Sequence, residues 1–171
     1  MDPLDRIDKR GLRDLMSRCW MTHDAMWFLH SAREIGIEKT NRINKAAVRS
    51  MAALEVKRLK KALGYGDKKL ESSSELKKLF EEMFGVIKAD FMQGTIDFPG
   101  ENVMRLAWQQ CFAYDGVNKM GVIDQYQCGI FDRIEGWFEG LAIKYEVSPR
   151  VEGCMMHKEG KCYRDFKVIW E

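Results

Sequence analysis

The chain is short of proline and has no long apolar run. Three prolines among 171 residues exclude a collagen-like repeat, a proline-rich linker or broad disorder. No stretch approaches the roughly 18 consecutive apolar residues that a membrane-spanning helix requires, so no membrane partner is expected. The opening Met1-Asp2-Pro3-Leu4-Asp5 lacks a basic region followed by an apolar stretch, which is the pattern of an export signal. A cytoplasmic location is therefore expected. An excess of one charge is missing as well. Lys+Arg 28 against Asp+Glu 26 leaves +2, which argues against a dedicated nucleic-acid binder. G-x-x-x-x-G-K-[ST], a helix-opening G-x-G-x-x-G and G-x-S-x-G are all absent. That removes the simplest nucleotide-binding and serine-hydrolase designs.

What is present is ordinary for a globular chain: 46% hydrophobic and 32% charged residues, in a length that can bury a core of its own. The five cysteines are Cys19, Cys111, Cys128, Cys154 and Cys162. An odd count without an export signal speaks against a disulfide framework and for buried thiols, redox thiols or metal ligands.

Hydrophobic spacing divides the chain. Leu12, Leu15, Met16, Cys19, Trp20, Met26 and Trp27 recur at three- and four-residue steps, predicting helix over 10–35, as one helix or as two broken near Thr22, with Gly36 beyond its end. A second helix is expected over 39–63, closed by Gly64-Tyr65-Gly66. Its basic end, Lys57 to Lys61, reads as a solvated helix terminus. A short amphipathic helix is expected from Ser74, as N-cap, to Phe84, with Gly85 ending it. The period then changes. Residues 87–98 and 103–113 flank the turn signal Pro99-Gly100-Glu101-Asn102 and read as a hairpin. Residues 115–121 read as a loop and 124–143 as a third strong helix. Two strands, 144–151 and 162–170, are expected around a loop at 152–161. The expected class is α+β: N-terminal helices followed by a small antiparallel sheet with a packed helix. Residues 1–70 form the helical region and 71–171 a metal- or ligand-binding region, together one compact unit.

Cys154-Met-Met-His157-Lys-Glu-Gly-Lys-Cys162 has the form C-x2-H-x4-C. Thiolate and imidazole in a tight glycine-containing loop suit tetrahedral zinc. Three ligands do not close such a site. Cys128, at the start of the third predicted helix, is the natural addition. Cys111 with Cys128, Cys154 and Cys162 would instead supply four thiolates, as an iron–sulfur centre uses, but Cys111 falls within a strand pattern. Cys154 and Cys162 also have a plainer reading as buried thiols, with His157 a surface loop residue.

The last part of the chain resembles the vinyl-reductase-type ligand-binding domain and the L-2-amino-thiazoline-4-carboxylate hydrolase-like proteins. The motif is a Cys opening a helix, Gly and an aromatic inside it, a strand, then Cys, a glycine loop, and Cys leading an aromatic strand. Here it reads Cys128, Gly136-Trp137, Tyr145 to Val151, Cys154, Gly160, Cys162-Tyr163 and Phe166-Lys-Val168. The resemblance implies Cys128, Cys154 and Cys162 as zinc ligands with a glutamate as the fourth. The family's glutamate position holds Val151, so Glu152 and His157 compete for that role.

Other candidates have alternatives. Trp20, His23, Trp27 and His30 share one helix stripe, and with Arg105 and Trp108 they are the residues that would line a small-molecule site. The histidines read first as hydrogen-bonded core or rim residues, and Arg105 first as part of a solvated sheet face. The expected function is a cytosolic domain binding a small apolar or aromatic molecule, with a structural zinc site. The alternative is a metal- or cysteine-dependent hydrolase of a small cyclic amide or thiazoline-type substrate, for which Cys111 and His23 are the catalytic candidates. The Leu12–His30 stripe could also make a homodimer.

Overall fold

The structure is a computed structural model and describes residues 2–170. Among these residues, six α-helices and a four-stranded antiparallel sheet make an α+β fold. The two N-terminal helices, α1 (Lys9–Ile35) and α2 (Ile37–Ala62), run antiparallel around Gly36. The Asp8 carboxylate caps α1 by accepting the Gly11 N–H at 2.6 Å. Gly36 ends the helix with φ of 83°, a conformation that glycine adopts without strain. Helix α1 is one unbroken helix, yet Phe28 is its only buried residue. Helix α2 buries Ala52 and Val56 completely.

Helix α3 (Ser73–Ile87) follows. Its N-cap is Ser72, not Ser74, and it runs through Gly85 instead of stopping there. The three adjacent serines have equal capping chemistry. Only the burial of Leu76, Leu79, Phe80 and Met83 sets the register. The predicted hairpin is present as β1 (Gly94–Gly100) and β2 (Val103–Trp108). Residues 112–119, expected as strand end and loop, form α4 (Phe112–Lys119). The third predicted helix is shorter than expected: α5 spans Ile130–Gly140, preceded by a single 3-10 turn at Ile123–Gln125. Strands β3 (Lys144–Ser148) and β4 (Cys162–Ile169) enclose a short helix, α6 (Met155–Glu159), where a loop was expected.

The sheet order is β1-β2-β4-β3. Alternation puts Cys162, Arg164, Phe166 and Val168 on the inner face of β4. Register sets Trp108 opposite Cys162, Leu106 opposite Arg164 and Met104 opposite Phe166. The core lies between this face and helices α3 and α5. Phe80, Trp137, Phe138 and Phe166 are its largest buried rings. Helix α2 covers the other side of α5. A Cβ at Gly136 would meet the Arg49 carbonyl at 2.5 Å, and one at Gly140 the Ala53 carbonyl at 2.8 Å, so these glycines permit the close crossing.

Candidate metal centre and adjoining cavity

Four cysteines from separate elements share one end of the sheet. Cys162 begins β4 on its inner face. Cys154 is the N-cap of α6. Cys128 lies two residues before the start of α5. Cys111 is the N-cap of α4. The expectation that Cys111 belongs to a strand fails, because β2 ends at Trp108 and releases the chain toward the other three cysteines. Cys154 and Cys162 are buried, and Cys111 and Cys128 partly so.

A chain of polar contacts holds these segments in place. The buried Asn41 of α2 donates from Nδ2 to the Gln125 carbonyl at 2.7 Å and accepts the Gln127 N–H on Oδ1 at 3.1 Å. The Gln127 side chain in turn accepts the Gly153 N–H at 2.8 Å. One asparagine and one glutamine thus join α2, the Cys128 segment and the Cys154 segment. Neither residue stands out in sequence, since each is a single polar side chain without a motif.

Three of these thiols are shifted upward by burial and by neighbouring sulfurs. Burial pushes Cys128 well up, and Cys111, Cys162 and Cys154 raise it further. Burial pushes Cys162 up to about 12, Cys111 and Cys154 add to this, and Arg164 pulls the other way. Cys111 is raised chiefly by burial, against the backbone N–H groups of Tyr114 and Ala113, with Cys154 contributing on the raising side. The Tyr126 hydroxyl is raised by burial and then by Cys128, Cys111 and Cys154, so it lies beside the same group. Among the described residues, no three His, Cys, Asp or Glu side chains are gathered closely enough to hold a metal ion as they stand.

Two observations bear on whether the group suits a cation. The donor set is four sulfurs, the preferred environment of structural zinc. In addition, the Trp108 indole N–H, on the residue paired with Cys162 across β2 and β4, is buried without an acceptor among the described residues. A neutral thiol accepts a hydrogen bond weakly, whereas a metal-bound thiolate accepts one well.

The remaining predicted residues lie elsewhere. His157 Nε2 is 2.9 Å from Asp124 Oδ1, and its ring faces Tyr114 at 6.4 Å. Glu152 is exposed. Trp20 and Trp27 are each 43% exposed, and His23 and His30 are exposed too. The α1 stripe is therefore an outer surface and not a core. Arg105 pairs with Asp165 through two bonds of 2.6 and 2.7 Å on the solvated face of the sheet, while Trp108 belongs to the inner face. The ligand set expected from sequence is split between an outer helix and the two faces of the sheet.

A cavity of about 420 Å³ adjoins the cysteines, with Cys128, Phe131, Tyr145, Val147, Arg150 and Arg164 among its walls. Arg164 is only 6% exposed. Its guanidinium stacks 4.5 Å over Phe131 and donates to the Met155 sulfur and to the Tyr163 and Val151 carbonyls. The signal in sequence was an arginine at an inward position of an alternating strand, between Cys162 and Phe166.

Over residues 11–171 the chain matches a family of unknown function, DUF6125. The chain belongs to that family. No curated protein and no solved structure matches it.

Proposed function

We propose that the protein is a small-molecule-binding domain held together by a structural zinc centre, with Cys111, Cys128, Cys154 and Cys162 as its ligands. The observation that carries this reading is geometric: Cys111 caps α4, Cys128 precedes α5, Cys154 caps α6 and Cys162 opens β4, near enough that Cys111 and Cys154 bear on both Cys128 and Cys162. Such a group is costly to ionise alone, and a divalent cation turns that repulsion into attraction. Four protein sulfurs leave no open position for water, so the ion supplies cross-linking and not chemistry. It would tie the starts of α4, α5, α6 and β4 to one point. Reduced thiols fit a cytoplasmic setting.

The hydrolase alternative is less well supported. It needs an ionised thiol or a metal-bound water. Cys111, Cys128 and Cys162 are instead all raised by burial, which makes them weak nucleophiles near neutral pH.

The test is zinc stoichiometry in protein purified without chelator, paired with thermal unfolding in a strong chelator. About one zinc per chain and a marked fall in unfolding temperature are expected, because metal binding is linked to folding. A metal-free protein whose unfolding ignores the chelator would contradict the reading.

A further inference from the structure

We infer that the cavity beside the cysteines takes a small organic carboxylate, gripped by Arg164. The inference deepens the ligand-binding half of the reading above and rests on it. Three other arginines of this chain show what a guanidinium finds here when a carboxylate is within reach. Arg49, Arg105 and Arg133 each present the Nε–Nη2 edge to a carboxylate, those of Glu139, Asp165 and Glu55. That edge matches two carboxylate oxygens. Arg164 is different. Its acceptors are two carbonyls and a thioether, its Nε has no acceptor, and no carboxylate pairs with it among the described residues.

Arg164 bears on the Cys162 sulfur, but its Nε still has no acceptor and the residue lines a cavity, where an unanswered N–H of a buried cation is expensive. The acids around that cavity are already matched. Asp132 pairs with Lys45 at 3.5 Å, Glu135 with Arg49 at 3.0 Å, and Glu146 with Lys167 at 3.9 Å. Arg150 at the rim has no ion pair among the described residues and adds a second unmatched positive charge. Phe131 and Val147 give the walls an apolar part, which suits an organic body carrying the carboxylate better than a bare inorganic anion. The volume, about 420 Å³, is at the small end of ligand sites.

Calorimetric titration of the full chain with benzoate, with its neutral isostere benzamide and with inorganic phosphate tests the inference. Each is run on the wild type, on Arg164→Lys and on Arg150→Gln, with zinc content measured alongside. Lysine keeps the charge but loses the two-pronged edge. Benzoate should bind, with benzamide and phosphate both weaker. Arg164→Lys should weaken benzoate by about tenfold or more. Arg150→Gln, exposed and safe for folding, should weaken benzoate and leave benzamide unchanged. If Arg164→Lys fails to fold, the Arg150→Gln comparison decides. Benzoate that does not bind, that binds no better than benzamide or phosphate, or that ignores both substitutions overturns the inference. Any of these results with zinc retained leaves the metal centre standing, whereas missing zinc with benzoate still bound overturns the centre alone.

Discussion

Asn41 accepts the backbone N–H of Gln127 at 3.1 Å, one residue before Cys128. Its other side-chain atom holds the Gln125 carbonyl at 2.7 Å. An amide on α2 therefore positions a cysteine 87 residues further along the chain. Asn41→Ala should cost about 2–4 kcal/mol, because it leaves two backbone groups without their partner at a buried position. Urea unfolding reads this directly. A loss below about 0.5 kcal/mol would show that water replaces the amide without penalty.

The crossing of α2 and α5 depends on a missing side chain. A Cβ at Gly136 would stand 2.5 Å from the Arg49 carbonyl and 2.8 Å from the Ala52 side chain. Both belong to helix backbone or to a fully buried residue, so neither yields easily. Gly136→Ala should destabilise by roughly 1–3 kcal/mol despite alanine's better helix propensity. Gly116, with open space around its Cβ position, is the control: Gly116→Ala in α4 should stabilise slightly.

Cysteine and histidine substitutions separate the candidate ligands. Cys111→Ser, Cys128→Ser, Cys154→Ser and Cys162→Ser should each lower zinc content. His157→Ala, which removes the contacts with Asp124 and the Tyr114 ring, should keep it. Cys19→Ser is neutral, since Cys19 is exposed on α1. Zinc retained in Cys111→Ser and lost in His157→Ala would restore the imidazole to the centre.

Glu139 supplies a pH dependence with a definite sign. Its hydrogen bond to Arg49 holds the carboxylate below its ordinary value of 4.5, against some opposing burial. A depressed carboxylate stabilises fully above its unfolded pKa, and the benefit is lost as pH falls through the folded value. The difference in unfolding free energy between the wild type and Glu139→Gln should therefore be constant above about pH 5 and shrink on acidification. Comparing the two proteins cancels any acid loss of metal common to both. A difference that stays flat or grows toward acid would contradict the pairing.

Much of the architecture was readable from spacing. Leu12 through Trp27 recur at helical steps, and α1 is one helix. Phe166 and Val168 alternate, and β4 is a strand. The misreadings have physical causes. Asp115-Gly116 carries turn chemistry, but α4 forms because Val117 is buried against Phe28, Ile123 and Tyr126, a contact that local sequence does not contain. Helix α5 starts late because Asn41 holds residues 125–127 in another conformation. The α1 stripe read as a ligand-lining or dimer face, and Trp20 and Trp27 are exposed, since periodicity shows an apolar face without showing what covers it. The cysteine group was half legible. C-x2-H-x4-C drew attention to His157, whereas Cys111 joins only because β2 ends at Trp108. Arg164 was visible as a charge at an inward strand position, and only the structure shows that no carboxylate among the described residues answers it.

The central claim is that four sulfurs surround one ion, and X-ray absorption at the zinc edge on the chelator-free protein tests it most directly. The account predicts four sulfur neighbours at about 2.3 Å and no nitrogen or oxygen. A protein without bound metal, or a first shell in which a histidine nitrogen or a carboxylate oxygen replaces one of those sulfurs, would contradict it.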